Sequence, residues 1–380
     1  MGIVGGERLS VNGILGQELC QSDVVTLADG GFTVAWSGVP ADGVADVLLC
    51  VFNADGTLRS KTEFSVPTQS AQFVPQLTAL SNAGFAMVWS GETAGDGEGI
   101  AVRLFDGDGK ALGDAATPVN AQTDGSQLAP QITTLADGGY VIAWTAAGAP
   151  GETGGLSLRM FNRDGSVTDR SIDGFSAESQ PGYKIVALAD GGFAVVYEAA
   201  APAEGGSPGL RMQIFDADGT LQVDAAVSSL EKACRNPAVT ALADGGFVVA
   251  WEGDRFDDAS GIALQIFDAD GTARARTDFA VNSHTDGEQL DPVVTALKDG
   301  GFVVLWRGVT SHDPDGGLAM QVYNADGKTR IAGDIAVNGY TQGLQGNPVV
   351  AALAGGGFAV VWTTQDKDGY SIALRVFNAS

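Results

Sequence analysis

Residues 237–282 read PAVTALADGGFVVAWEGDRFDDASGIALQIFDADGTARARTDFAVN. The run from Pro237 to Leu242 ends on Ala-Asp-Gly-Gly, and Phe247 to Trp251 then resumes a β-branched run. Two such runs around an Asp-Gly signal predict a β-hairpin. After the loop GDRFDDASG, an alternating run from Ala263 to Phe267 enters Asp-Ala-Asp-Gly and emerges into a last run closing on Val281-Asn282. This is a second hairpin, so the segment encodes four successive antiparallel strands, a to d.

The segment recurs along the whole chain. All six tryptophans, with Tyr197 substituting once, occupy one repeat position: Trp36, Trp89, Trp144, Tyr197, Trp251, Trp306 and Trp362, at successive spacings of 53, 55, 53, 54, 55 and 56. Seven copies of a four-stranded unit predict an all-β, seven-bladed β-propeller forming one domain, because radial packing buries both faces of every sheet and leaves only short edges. The blades are expected near residues 23–66, 75–120, 130–174, 183–228, 237–282, 292–338 and 348–380. Phe32, Phe85, Tyr140, Phe193, Phe247, Phe302 and Phe358 open strand b, and Phe52, Phe105, Phe161, Phe215, Phe267, Tyr323 and Phe377 end strand c. These aromatics are expected to pack blade on blade. The seventh copy stops after strand c, while Glu7 to Asn12 (ERLSVN) matches the fourth-strand segments Asp278 to Asn282 (DFAVN) and Asp334 to Asn338 (DIAVN). Residues 1–12 are therefore expected to close the ring by pairing with strand c of blade seven.

Composition narrows the function. With 44% apolar and 18% charged residues the chain suits a packed globular protein and not a disordered one. A formal charge of −25, with no Lys/Arg cluster to offset it, repels nucleic-acid phosphates and anionic membranes, so nucleic acid is excluded as a partner. Cys20, Cys50 and Cys234 are odd in number and lack paired spacing, which predicts free thiols. The apolar stretch from Val349 to Trp362 is short and broken by Gly355, Gly356 and Gly357, so no transmembrane insertion is expected. Nothing after Met1 has the layout of a secretory signal, and export would need another route.

The repeat predicts two unlike faces. On one, the a–b and c–d turns are short and uniform, and Asp29, Asp137, Asp190, Asp244, Asp299, Asp216/Asp218 and Asp268/Asp270 are read as turn formers. The Asp-Ala-Asp-Gly strings lack the further oxygens and the distal Glu of an EF-hand loop. The other face carries b–c loops of varying length and content together with the crossings between blades, and variation on a rigid scaffold is where function usually sits. Acids group there: Asp42 and Asp46; Glu92, Asp96 and Glu98; Asp254, Asp257 and Asp258; Asp313 and Asp315; Asp366 and Asp368. Such loops could hold Ca²⁺ or be simply solvated, and Asp254, Asp257, Asp258, Asp366 and Asp368 are the candidate calcium ligands. A glutamine eight positions before the turn leucine recurs as Gln72, Gln127, Gln180, Gln289 and Gln345, with Cys234 in the same place in blade five. This residue either ties one blade to the next or faces a ligand. His284 and His312 both fall on the variable face of blade six, near Asp286, Gln289, Asp313 and Asp315. These six are the candidate ligand-binding residues, although two exposed loop histidines would look the same. No catalytic or nucleotide-binding signature occurs, and no organic cofactor is implied.

The string LADGGFVVAW, a glycine-containing loop, IALQIFDADGT and a closing AVN resembles the tandem repeats of large secreted or surface-associated bacterial proteins, including RTX-type calcium-associated adhesins. The resemblance implies an extracellular or cell-surface propeller, with a cytoplasmic one left open, and transfers no catalytic residue. The nonapeptide calcium repeats of RTX proteins are absent. Three functions remain in play: a non-enzymatic adhesion or binding module for a glycan, surface polymer or protein; a polymer-degrading hydrolase or lyase with its site at the blade-six mouth; and a structural assembly unit.

Overall fold

A computed structural model describes residues 3–5, 9–10, 21–38, 46–65, 74–93, 96–121, 123, 125–146, 155–176, 182–199, 209–228, 233–255, 258–275, 278–310, 313–314, 316–329, 333–339, 341, 343–366 and 369–379. Seven antiparallel sheets make a seven-bladed β-propeller; six are meanders of four strands in chain order, and the seventh joins three C-terminal strands to strands from the N-terminus. Blade four is representative: strand a is Tyr183–Ala187, b is Phe193–Ala199, c is Gly209–Phe215 and d is Leu221–Ala226.

The recurring aromatics explain why this sequence makes blades. In every sheet the residue opening strand b lies directly opposite the one ending strand c, as in Phe193 and Phe215. All seven pairs stack at 4.8–5.1 Å between ring centroids. Directly opposed aromatics stabilise a sheet pair, and here they also present one large apolar surface to the neighbouring blade. The buried side chains fall into seven clusters, each joining two adjacent blades. One joins blade seven to blade one, through Val361, Ile372 and Leu374 against Trp36, Leu48 and Cys50, so the ring is closed.

The Asp-Gly-Gly-Phe string divides its labour. Asp190 Oδ1 accepts the Gly192 amide at 3.0 Å, and Asp29, Asp137, Asp244 and Asp299 do the same in their turns. The first glycine takes a left-handed conformation, with φ of 95° at Gly191. The second is needed for space, since a Cβ on Gly192 would sit 2.2 Å from the Phe215 carbonyl oxygen, and on Gly357 2.0 Å from that of Phe377. The uniform face is therefore built for turning the chain, as the turn-former reading expects.

Ring closure follows the expected register and adds to it. Leu9–Ser10 pairs with Leu374 and Ala373, supplying the missing fourth strand. Ile3–Gly5 pairs with Ala379, Asn378 and Phe377, so the last strand runs straight through Gly369–Ala379 where the other copies turn. The inner strands have no sheet neighbour toward the axis, and side chains of the adjoining blade satisfy their backbone. Thr134 Oγ1 donates to Ala79 O, while the Ala187 and Ala296 amides donate to Thr133 and Thr240 hydroxyls and the Leu77 amide donates to Asp23 Oδ2. Cys50 is a buried free thiol, pushed up to about 11 by that burial, and Cys234 is buried as well. Among the described residues no helix is long and apolar enough to cross a membrane.

Candidate functional site

Where the chain enters strand a, four blades carry one extra residue. Pairing with strand b slips between Leu128 and Gln131, Arg235 and Ala238, Leu290 and Val293, and Gly346 and Val349. At each slip the residue before a proline takes the left-handed conformation: Ala129 (φ 51°), Asn236 (48°), Asp291 (53°) and Asn347 (47°). Asn and Asp tolerate this region better than other residues with a Cβ, and proline, having no N–H, leaves no ladder bond unmade. Bulges of this kind re-aim side chains and are common beside functional sites.

These entrances surround a cavity of about 340 Å³ on the propeller axis, to which all seven blades contribute. Strands a begin and strands b end here, so it opens on the face of the variable loops. Its wall is two-sided. Four positions before the turn leucine the blades place, in order, Asp23, Gln76, Gln131, Lys184, Ala238, Val293 and Val349, of which Gln76, Gln131, Lys184, Val293 and Val349 line the cavity. The first four are polar and the last three apolar. Gln21, Asn236 and Asn347 add amides nearer the mouth, and Pro237, Pro292 and Pro348 extend the apolar wall.

Asp23 and Lys184 are the charged members of that ring. Asp23 accepts the Val24 amide at 2.8 Å and the Leu77 amide at 2.7 Å, and Lys184 Nζ donates to Gln131 Oε1 at 3.3 Å. Burial outweighs the two amides and Lys184 and pushes the Asp23 carboxyl up to about 6, from an ordinary 3.8. Burial likewise holds Lys184 below its usual value, partly offset by Asp23. Between about pH 4 and 6 the native protein keeps a proton on Asp23 that the unfolded chain has released. This group's contribution to stability therefore falls as pH rises through that window and is level above it. Urea midpoints compared between wild type and Asp23→Asn should show this slope in their difference, and a flat difference would refute the assignment.

Beside the cavity the residue after the repeat aromatic is Ser37, Ser90, Thr145, Glu198, Glu252, Arg307 and Thr363 around the ring, so blades four to six substitute charge for hydroxyl. Glu198 Oε1 accepts the Asn236 amide of the next blade at 2.7 Å, and Glu252 Oε1 accepts the Asp291 amide at 2.7 Å. Each carboxylate thus caps the left-handed residue of its neighbour. Glu252, 1% exposed, also takes Asn236 Nδ2 at 2.7 Å and Arg235 Nε at 2.8 Å. Arg307 cannot cap and pairs instead with Asp291.

The residues singled out from sequence lie around this mouth. Gln289 is fully buried, accepts from Asn282 Nδ2 at 3.1 Å and gives its own amide hydrogens to Asp286 O and Gly287 O. Gln127 takes the same bond from Asn120, so these glutamines fasten a crossing to the preceding blade. His284 is half-buried, with its backbone amide on Asp334, and Asp286 is exposed. Asp313 is buried and accepts from Asn338 Nδ2 at 3.1 Å, as Asp96 accepts from Asn120 at 2.7 Å. Those asparagines close the Val-Asn pair after strand d and pin strand d to strand c, with Asn338 Oδ1 taking the Leu318 amide and Asn120 Oδ1 the Ile100 amide, both at 2.7 Å. Asp254, Asp258 and Asp366 lie at or next to the strand ends that border the b–c loops. His312, Asp315, Asp257 and Asp368 lie outside the described residues, as do Gln72, Gln180 and Cys20. Among the described residues no three His, Cys, Asp or Glu side chains group as metal ligands do. The cavity wall and the charged rim of blades four to six were not singled out from sequence, although both are marked there as departures from the repeat.

No family profile matches the chain, and no curated protein matches it in sequence. Solved structures do share its fold. A protein of unknown function from Dyadobacter fermentans superposes with a TM-score of 0.57 at 14% identity over 100% of both chains. An α-L-arabinanase from Penicillium chrysogenum, complexed with arabinobiose, gives 0.57 at 12% identity over 82% of this chain and 96% of its own. A polysaccharide lyase, an ulvan lyase bound to a GlcA(1-4)Rha3S saccharide, gives 0.56 at 9% identity over 96% and 95%. At these identities the likeness is one of fold: the chain is a seven-bladed β-propeller of an architecture that also carries saccharide-processing enzymes.

Proposed function

We propose that this chain is a non-enzymatic recognition module that holds the end of a saccharide or related surface polymer in the channel mouth on the variable face. The observation that carries the reading is the two-sided cavity. Side-chain amides on one wall suit the hydroxyls of a sugar, and the proline and valine wall suits its C–H face. Its volume of about 340 Å³ is at the small end for a ligand pocket, the size of a short saccharide segment. The carboxylates around it are committed to structure: Glu252 to three donors, Asp291 to Arg307, and Asp23 to two backbone amides. That solved propellers of similar shape act on saccharides supports the ligand class. The setting implied is extracellular or at the cell surface, where such polymers are met.

A polymer-degrading hydrolase or lyase is the second reading, and one observation favours it: the Asp23 carboxyl, pushed up to about 6, is tuned toward general acid or base work. A panel of neutral and acidic polysaccharides, assayed for retention and for new chain ends, separates the two. Retention without cleavage is expected. Cleavage that Asp23→Asn abolishes would replace the binding reading with the enzymatic one.

A further inference from the structure

Lys184 is held by one hydrogen bond, to Gln131 of the preceding blade, and by the field of Asp23. Its position in the ring is filled by Ala238, Val293 and Val349 in three other blades, so the fold accepts an apolar side chain there. Taking an ammonium out of water is costly unless it is paired and fully hydrogen-bonded. Here it donates once, to Gln131 Oε1 at 3.3 Å, which leaves two of its three N–H donors unclaimed in the cavity wall. The nearby arginines are not in that state, since Arg235 is bonded to Glu252 and Arg307 to Asp291. Among the described residues lining the cavity, Lys184 is thus the cation with no carboxylate in contact, while Asp23 acts on it through space.

We propose that Lys184 reads a single carboxylate on the ligand, so that the preferred occupant is a uronate-type sugar at a chain end. This rests on the saccharide reading of the channel mouth and narrows it. An ammonium with open donors and no carboxylate in contact can take one ligand carboxylate directly, which the through-space field of Asp23 does not supply. The chain's net charge of −25 disfavours a polyanion or a dianionic phosphate, whose further charges would meet Asp23, Asp291 and Glu198 without a partner. A monocarboxylate sugar satisfies the ammonium, leaves its hydroxyls for the amides, and turns its C–H face to the prolines.

Calorimetric titration of wild type and Lys184→Met with glucuronate, its methyl ester and glucose tests the proposal. Wild type should bind glucuronate about tenfold or more tightly than glucose or the ester, because a hydrogen bond between two charged groups is stronger than one to a neutral oxygen. Lys184→Met should bind all three alike, near the wild-type affinity for glucose, and should unfold no earlier than wild type. Equal binding of the three sugars by wild type overturns the role of Lys184 and leaves the saccharide reading standing. Failure of all three to bind overturns both. A glucuronate preference that survives in Lys184→Met assigns the carboxylate to another group and overturns the proposal.

Discussion

Removing residues 1–10 should lower the thermal midpoint by on the order of 10 °C and make the protein prone to aggregate, a loss of several kcal/mol. The deletion strips Leu9–Ser10 and Ile3–Gly5 from Gly369–Ala379 and bares a long strand edge in an otherwise closed ring. Blade seven also packs on blade one through Ile372 and Leu374, so loosening its outer side weakens a core shared by two blades. Appending residues 1–12 after Ser380 through an Asp-Gly turn supplies the same strand in the same direction, and should restore the midpoint. A deletion that unfolds with wild type would show that the ring does not depend on this closure.

Glu252→Gln should destabilise by about 2–4 kcal/mol, read from urea unfolding. The buried carboxylate accepts three donors, and an amide in its place turns an NH₂ toward some of them. Arg235 is largely exposed and Asn236 is exposed, so both regain water, and the loss falls chiefly on the half-buried Asp291 amide. Because Asn236 and Asp291 line the cavity, this variant should also weaken ligand binding, whereas Ser90→Ala, at the same repeat position in blade two, should leave binding intact. A change below 0.5 kcal/mol, the size usual for surface substitutions, would mean that the capping chain from blade four to blade six contributes little.

The architecture was legible in the sequence because each repeat states it twice: Asp-Gly-Gly fixes one hairpin and Asp-Ala-Asp-Gly the other, and the tryptophan spacing counts the blades. The closing strand was legible by likeness to the fourth-strand segments. The pairing of Ile3–Gly5 was not, since three residues carry no periodicity. The site was harder to find for a physical reason. Attention went to the loops that vary, whereas the cavity is lined by strand positions that share the pattern of the repeat and differ only in side chain. Gln289 shows the difference: its recurrence marks a structural bond to Asn282, while Lys184, which breaks its column, lines the cavity, and Glu252, which breaks its own, holds Asn236 and Asp291 there. Left-handed bulges before Pro237, Pro292 and Pro348 re-aim the residues preceding them toward the axis, and alternation along a strand does not reveal such a slip.

The most direct test of the central claim is to fill the channel. Gln76 lines the cavity, sits in a regular strand and bonds only to the neighbouring Pro75 carbonyl, so Gln76→Trp can occupy the space without breaking a tie between blades. Titration of this variant with the saccharide that wild type binds best should show at least a tenfold loss of affinity, with the unfolding midpoint close to that of wild type. Undiminished binding by the plugged protein would contradict the account and move the site to the outer loops.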